Sequence, residues 1–218
     1  MTPPYVPGGA VAGRVRAVGH GVDPGWVGRK VVARTGHRGG YAEQALVPAD
    51  GPTALALFEG ARIGSGDRVL VVGASGGLGI VSVQLGRARG ARVVAVARDE
   101  RKLERVRELG ADAVIDSEAP DWVEQARSAL GGEGADVILN NIGGQLGEAA
   151  FAVIASGGRF SAHGTPSGEF AAIDPAEAER RAVTVRGIGD LQLTNGDIQR
   201  FTEQALAEAA AGRADAAQ

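Results

Sequence analysis

The sequence predicts an α/β fold: a doubly wound parallel sheet over residues 51–218, preceded by a smaller β-rich unit over residues 1–50. Three observations carry this. From residue 51 onward, continuous apolar runs alternate with amphipathic stretches, the pattern of strands buried on both faces and of the helices that cover them. A glycine-dense turn, Gly73-Ala74-Ser75-Gly76-Gly77-Leu78-Gly79, joins one such run to a helical stretch. Before residue 51 the rhythm differs: short valine-rich runs are broken by Gly and Pro, the punctuation of a β-rich unit with tight turns.

In order, "AVAGRVRAVGHGV", "GRKVVARTG" and "YAEQALV" supply the short runs of that first unit. "TALALFEGARI" (53–63) reads as a helix and "DRVLVVG" (67–73) as a buried strand. "LGIVSVQLGRARG" is helical and stops at Gly90, a C-terminal cap. "ARVVAVA" is the next strand. "DERKLERVRELG" places Leu103, Val106 and Leu109 on one face and charge on the other, and ends at Gly110. "DAVID", "ADVILNNIG" and "GGRFSAHG" (157–164) are further strands, with "DWVEQARSALGG" and "QLGEAAFAVIAS" (145–156) as the helices between them. "AVTVRGI" is a sixth strand and "NGDIQRFTEQALAEAAAG" a closing helix.

Composition narrows the classes of function. The chain has 218 residues and a net charge of −3, which gives no footprint for nucleic acid or an anionic membrane surface. It has no cysteine, so disulfides, thiolate zinc sites and thiol nucleophiles are all excluded. The N-terminus lacks the basic start and apolar run of a secretory signal, and no apolar stretch is long enough to span a membrane. A cytoplasmic protein is expected.

The glycine turn sits where a strand ends and a helix begins. There, glycines permit a sharp turn, close approach of backbone to a pyrophosphate, and tight helix–strand packing. The helix N-terminus adds unpaired N–H groups and partial positive charge. Read against G-x-G-x-x-G, Ala74 stands at the first glycine. A turn needed only for packing is the other reading. In NAD-preferring folds an acid about twenty residues on bonds the ribose 2′-hydroxyl. Here that count lands at Ala97 and Arg98. An arginine pairs with a 2′-phosphate, bidentately if it can, and Lys102 lies one helical turn further. NADPH is therefore the expected cofactor. Solvated charges at a strand end and on a helix face are the alternative for both residues. Asp99 and Glu100 read as first-turn acids of the following helix.

Two dehydrogenase families share these features. "VVGASGGLG" and "NNIGG" superficially resemble the short-chain dehydrogenases, but the only tyrosines, Tyr5 and Tyr41, have no lysine four residues later. The chain is more similar to the medium-chain dehydrogenase/reductase superfamily, in its zinc-independent quinone oxidoreductase branch. "PYVPGGAVAGRVRAVGHGV" and "VGRKVVA" resemble the end of that branch's GroES-like catalytic domain, and "GGYAEQALVPAD" its crossover into the cofactor domain. "GPTALALFEGARIGSGDRVLVVGASGGLGIVSVQLGRARGARVVAVARDERKLERVRELGADAVID" resembles its Rossmann-type domain throughout, including the alanine in the turn.

The resemblance implies roles. Thr53 would sit near the nicotinamide. Ser75, Gly76, Gly77, Leu78 and Gly79 would cradle the pyrophosphate, and Arg98 with Lys102 would take the 2′-phosphate. Asn141, Ile142, Gly143, His163 and Gly164 would border adenosine or nicotinamide. Where the family often places a tyrosine near the adenine, this chain has Ser117. Zinc-dependent members carry Pro-Gly-His-Glu at their first motif; here it is Pro7-Gly8-Gly9-Ala10, which offers no ligand. His20, His37 and His163 lack metal-ligand spacing. Against the family pattern the chain is short before Thr2, between Asp50 and Gly51, and after Arg213.

The implied activity is NADPH-dependent, zinc-independent hydride transfer to a quinone or an α,β-unsaturated carbonyl. No catalytic acid emerges; Tyr41 reads equally as a pocket residue or a packed aromatic. A non-catalytic NADPH-binding sensor or assembly module is the second reading, motivated by the short segments. The branch commonly dimerises by extending its sheet, so "AVTVRGIGDLQ" would be the edge of a homodimer.

Overall fold

The computed structural model describes residues 10–17, 27–28, 30–34, 53–190, 196–197, 200–201 and 204. The chain divides into two compact units, one formed by Ala54–Gln192 and the other by Met1–Thr53 with Leu193–Gln218. This division groups residues 193–218 with the N-terminal segment, whereas the sequence reading assigned them to the sheet domain. In the first-unit segment, β1 (Ala10–Arg14) pairs antiparallel with β2 (Lys30–Arg34). The expected run "YAEQALV" lies outside the described residues. Of the closing helix, residues 196, 197, 200, 201 and 204 are helical and the rest lie outside them.

The larger unit is a six-stranded parallel sheet. In chain order it comprises α1 (Thr53–Gly60, whose first residue belongs to the other unit), β3 (Arg68–Val72), α2 (Gly77–Ala88), β4 (Arg92–Ala97), α3 (Glu100–Glu108) and β5 (Ala113–Asp116). It continues through α4 (Trp122–Ala129), β6 (Ala135–Asn140), α5 (Gly144–Phe151), β7 (Ile154–Ala162), α6 (Pro175–Arg180) and β8 (Thr184–Gly187). The strand order is β5-β4-β3-β6-β7-β8, the Rossmann order, whose direction reverses between β3 and β6. Ligands of such sheets bind at the carboxyl ends of the strands flanking that reversal.

The central strands form because their runs are apolar on both faces. Val69, Leu70, Val71 and Val72 are fully buried, as are Val93, Val94, Ala95 and Val96. Burying each aliphatic side chain is worth about 1.5–3 kcal/mol. Leu70, Val72, Val94, Val96 and Ile138 pack in one cluster with Trp122 and Ala126 of α4 and Ala150 and Phe151 of α5. On the opposite face Gly86 of α2 lies so close to Val93 that an added Cβ would stand 2.7 Å from its Cγ2. Gly90 and Gly110 take φ of +74° and +97°, closing α2 and α3 where the sequence placed their caps.

Four elements depart from the sequence reading. The helix expected over 145–156 ends at Phe151, and β7 starts at Ile154. An apolar run such as "FAVIAS" suits either state, and pairing of Ile154 with Ala135 decides it. Gly157 and Gly158 therefore lie inside a strand. The register jumps from Ala135↔Ile154 to Val137↔Arg159, and Gly157 takes φ +76° in the irregularity. The α1 helix stops at Gly60, before Arg62 turns to φ +51°. Helix α6 has no counterpart in the sequence reading, although Asp174 caps it by accepting from the Ala176 N–H and Pro175 occupies its first turn.

Candidate functional site

The glycine turn leaves the end of β3 and is anchored to its neighbour. The N–H groups of Gly73 and Ala74 both donate to the Val96 carbonyl of β4, at 3.0 Å each. Gly73 takes φ +73°, and a Cβ there would stand 2.5 Å from Ile142 Cγ1. The left-handed residue is thus Gly73. Ala74, outside that conformation, is fully buried, so alanine costs the turn nothing.

Two of the remaining glycines, Gly79 and Gly76, divide by cause. At Gly79 a Cβ would stand 2.5 Å from the Gly73 oxygen and 2.7 Å from Ala74 Cα, so helix–turn packing requires glycine. At Gly76 φ is −77° and the nearest atom to an added Cβ is the Gly73 oxygen at 3.5 Å. Among the described residues nothing else lies within 4 Å of that position, so packing there does not demand glycine. Gly76 is the N-cap of α2 and supplies no side-chain cap; the first turn holds no acid. The leading N–H groups, including those of Gly77, Leu78 and Gly79, have no partner within the helix and face no negative charge of their own helix.

Arg98 follows β4 directly and is exposed, as is Lys102. Among the described residues neither side chain makes an ion pair. The intervening Asp99 takes φ +75° and caps α3, its carboxylate accepting the Arg101 N–H at 3.0 Å. The acid next to Arg98 is therefore engaged by backbone at the N-cap, and Glu100 is the acid of the first turn.

Across the reversal point, β6 ends in two asparagines with different tasks. Asn140 is buried, and its Oδ1 accepts the N–H groups of Ile142 and Gly143 at 3.1 Å each. Its Nδ2 is buried without a partner among the described residues. Asn141 donates from Nδ2 to the Val72 carbonyl at 2.9 Å and faces His163 Nε2 with Oδ1 at 2.7 Å. His163 Nδ1 lies 3.2 Å from Ser161 Oγ. Burial pushes the His163 imidazole down to about 4, so it is neutral at physiological pH.

Gly143 and Gly164 are explained by the fold. Gly143 takes φ +78° under the loop carbonyl of Glu169, and a Cβ at Gly164 would collide with the Asn141 backbone. Gly144 N–H donates to that Glu169 carbonyl at 3.1 Å, and Ser167 Oγ donates to the Ile142 carbonyl at 2.8 Å. The structure thus gathers Ser75–Gly79, Asn141–Gly143 and His163–Gly164 at the carboxyl ends of β3, β6 and β7, with Arg98 at that of β4. Thr53 opens α1; its side chain lies outside the described residues. The sequence reading passed over Asn140, Ser161 and Ser167. A polar residue closing the apolar run "ADVIL" was the available signal for Asn140; no local signal marked the two serines.

Residues 77–208 match the family model described as zinc-binding dehydrogenase. The chain belongs to the medium-chain dehydrogenase/reductase superfamily, in its quinone oxidoreductase-like branch. Among relatives of that superfamily, the quinone oxidoreductase of Rattus norvegicus is 29% identical over 220 residues, covering 91% of this chain and 66% of its own. This chain therefore spans just under two thirds of that relative's length. A mycobacterial protein solved in complex with NADPH superposes with a TM-score of 0.76 at 26% identity, over 98% of this chain and 74% of its own. An enoyl reductase domain of a polyketide synthase superposes with a TM-score of 0.64 at 26% identity, over 76% of this chain and 94% of its own.

The family model's description names zinc. This chain has no cysteine, and among the described residues no three His, Asp or Glu side chains gather to hold a metal. The described residues do not fit that ion. No helix among the described residues is long and apolar enough to cross a membrane.

Proposed function

We propose that the chain binds NADPH and serves the transfer of a hydride to a quinone or to the β-carbon of an α,β-unsaturated carbonyl, without zinc. One observation carries the cofactor assignment: an uncapped, acid-free helix N-terminus after β3, with Arg98 at the end of the neighbouring β4 and in no ion pair among the described residues. Anions favour such helix ends, and a guanidinium matches a phosphate. The N–H groups of Gly77, Leu78 and Gly79, with Ser75 and the open space at Gly76, would receive the pyrophosphate. Arg98, assisted by Lys102, would take the 2′-phosphate. Asn141, Ile142, Gly143, His163 and Gly164 would border the nicotinamide half.

When bound, the nicotinamide supplies the hydride; the chain's residues bind it and fix its orientation. The quinone oxidoreductase and enoyl reductase relatives support the substrate class, and the NADPH complex of the mycobacterial neighbour supports the cofactor.

The test is a fluorescence titration with NADPH and with NADH, on the wild type and on Arg98→Asp. Loss of a charged hydrogen-bonded contact is worth about 1.5–3 kcal/mol, so the variant is expected to bind NADPH roughly 10- to 100-fold more weakly and to lose its preference. Equal binding of both cofactors by the wild type would overturn the NADPH assignment. Turnover of simple quinones or enones by the NADPH-bound protein then separates an enzyme from a binding module.

A further inference from the structure

We infer that His163 is a positioning residue that holds the Asn141 side chain in one orientation for the nicotinamide half of the cofactor. The inference rests on the cofactor reading above and assigns a specific task within it.

The hydrogen-bond chain admits one arrangement of protons. Asn141 Nδ2 points at the Val72 carbonyl, 2.9 Å away, and a carbonyl only accepts. Asn141 therefore presents Oδ1 to His163, and Oδ1 only accepts as well. The imidazole must carry its hydrogen on Nε2 to fill the 2.7 Å contact. Its Nδ1 is then an acceptor, and Ser161 Oγ–H donates to it at 3.2 Å. Backbone bonds fix the same region: the N–H groups of His163 and Gly164 both reach the Asn140 carbonyl at 3.2 Å, and Asn141 N–H reaches Val72 O at 3.1 Å.

The chain runs across the ends of β3, β6 and β7. The first glycine turn and Arg98 assign the adenosine half to β3 and β4, so the second half of the dinucleotide falls over β6 and β7. With one Nδ2 hydrogen on Val72 and Oδ1 on His163, Asn141 keeps a second N–H that no hydrogen bond among the described residues uses. A neutral histidine preserves this pattern at physiological pH.

His163→Phe keeps an aromatic ring and removes both nitrogens; His163→Gln restores an N–H donor. The ligands are NADPH and 2′,5′-ADP, which carries the adenosine and 2′-phosphate without a nicotinamide. Unpairing a buried acceptor costs about 1–3 kcal/mol. The Phe variant is expected to bind NADPH at least about tenfold more weakly, the Gln variant to recover most of that loss, and both to bind 2′,5′-ADP like the wild type. NADPH binding by His163→Phe equal to the wild type, or a parallel loss of 2′,5′-ADP, would overturn the inference. A wild type that fails to bind 2′,5′-ADP would instead bring down the cofactor reading, and this inference with it. Should the Phe variant not fold, the wild-type imidazole nitrogen shifts decide: an Nε2–H tautomer whose signals move with NADPH but not with 2′,5′-ADP is expected. The Nδ1–H tautomer, or no response to NADPH, would refute the role.

Discussion

At the scale of single residues, the glycine turn shows that identical side chains answer to different forces. Gly73 is needed for its φ of +73° and for the overlying Ile142, and Gly79 for its contact with the Gly73 oxygen. Gly76 has neither constraint. The two kinds separate by measurement. Gly79→Ala is expected to destabilise the fold by several kcal/mol, since backbone must move. Gly76→Ala should change stability by no more than about 1 kcal/mol, because alanine is only a somewhat poorer N-cap, while weakening NADPH binding tenfold or more. Denaturant midpoints and cofactor titrations on both variants check this; a Gly76→Ala protein with unchanged affinity would remove the ligand from that space.

At the scale of elements, ion pairs tie the start of β3 to β6 and β7, and the candidate site lies at the carboxyl ends of the same strands. Arg68 holds Asp136 bidentately, with Nε to Oδ2 at 2.9 Å and Nη2 to Oδ1 at 2.8 Å, joining β3 to β6. Arg159 of β7 reaches Asp67 at 2.7 Å. The carboxyl ends carry the turn, the asparagines and His163. Both ends respond to acid, in sequence. His163 is held below its ordinary 6.5, at about 4, so its contribution is complete above pH 6.5 and is lost as pH falls towards 4. At about 1.4 kcal/mol per pH unit, up to roughly 3 kcal/mol is withdrawn over that window. The Arg68 hydrogen bonds hold the Asp136 carboxyl below its usual range; that contribution is complete above the ordinary carboxylate value and fades at still lower pH. Urea midpoints measured from pH 7 to pH 4 should therefore decline in the wild type and decline less in His163→Phe, which has no proton to gain. Parallel declines would refute the buried neutral imidazole.

At the scale of the whole molecule, β8 ends the sheet with Thr184 and Val185 exposed, Val185 at 40%. An edge strand with unpaired N–H and C=O groups is a template for a second chain. The proposed homodimer extends the sheet there, and the solution mass should be that of two chains. Replacing Val185 by proline would remove one N–H donor and yield the monomer; a monomeric wild type would refute the dimer.

Much of this was legible in the sequence. Apart from α6, the order of strands and helices, the caps at Gly90 and Gly110, the turn and Arg98 each depend on contiguous residues, through periodicity and glycine chemistry that local sequence encodes. The α5–β7 boundary was not legible, because "FAVIAS" satisfies two periods and only the partner strand chooses between them. The sequence alone therefore determined the fold class, the place of the glycine turn and the basic character of the β4 end. Tertiary structure decided that Ile142 lies over Gly73, that Gly76 is open while Gly79 is filled, and that Asn141 meets a histidine 22 residues away. Those contacts follow from strand order and register, which bring together side chains that no local pattern relates.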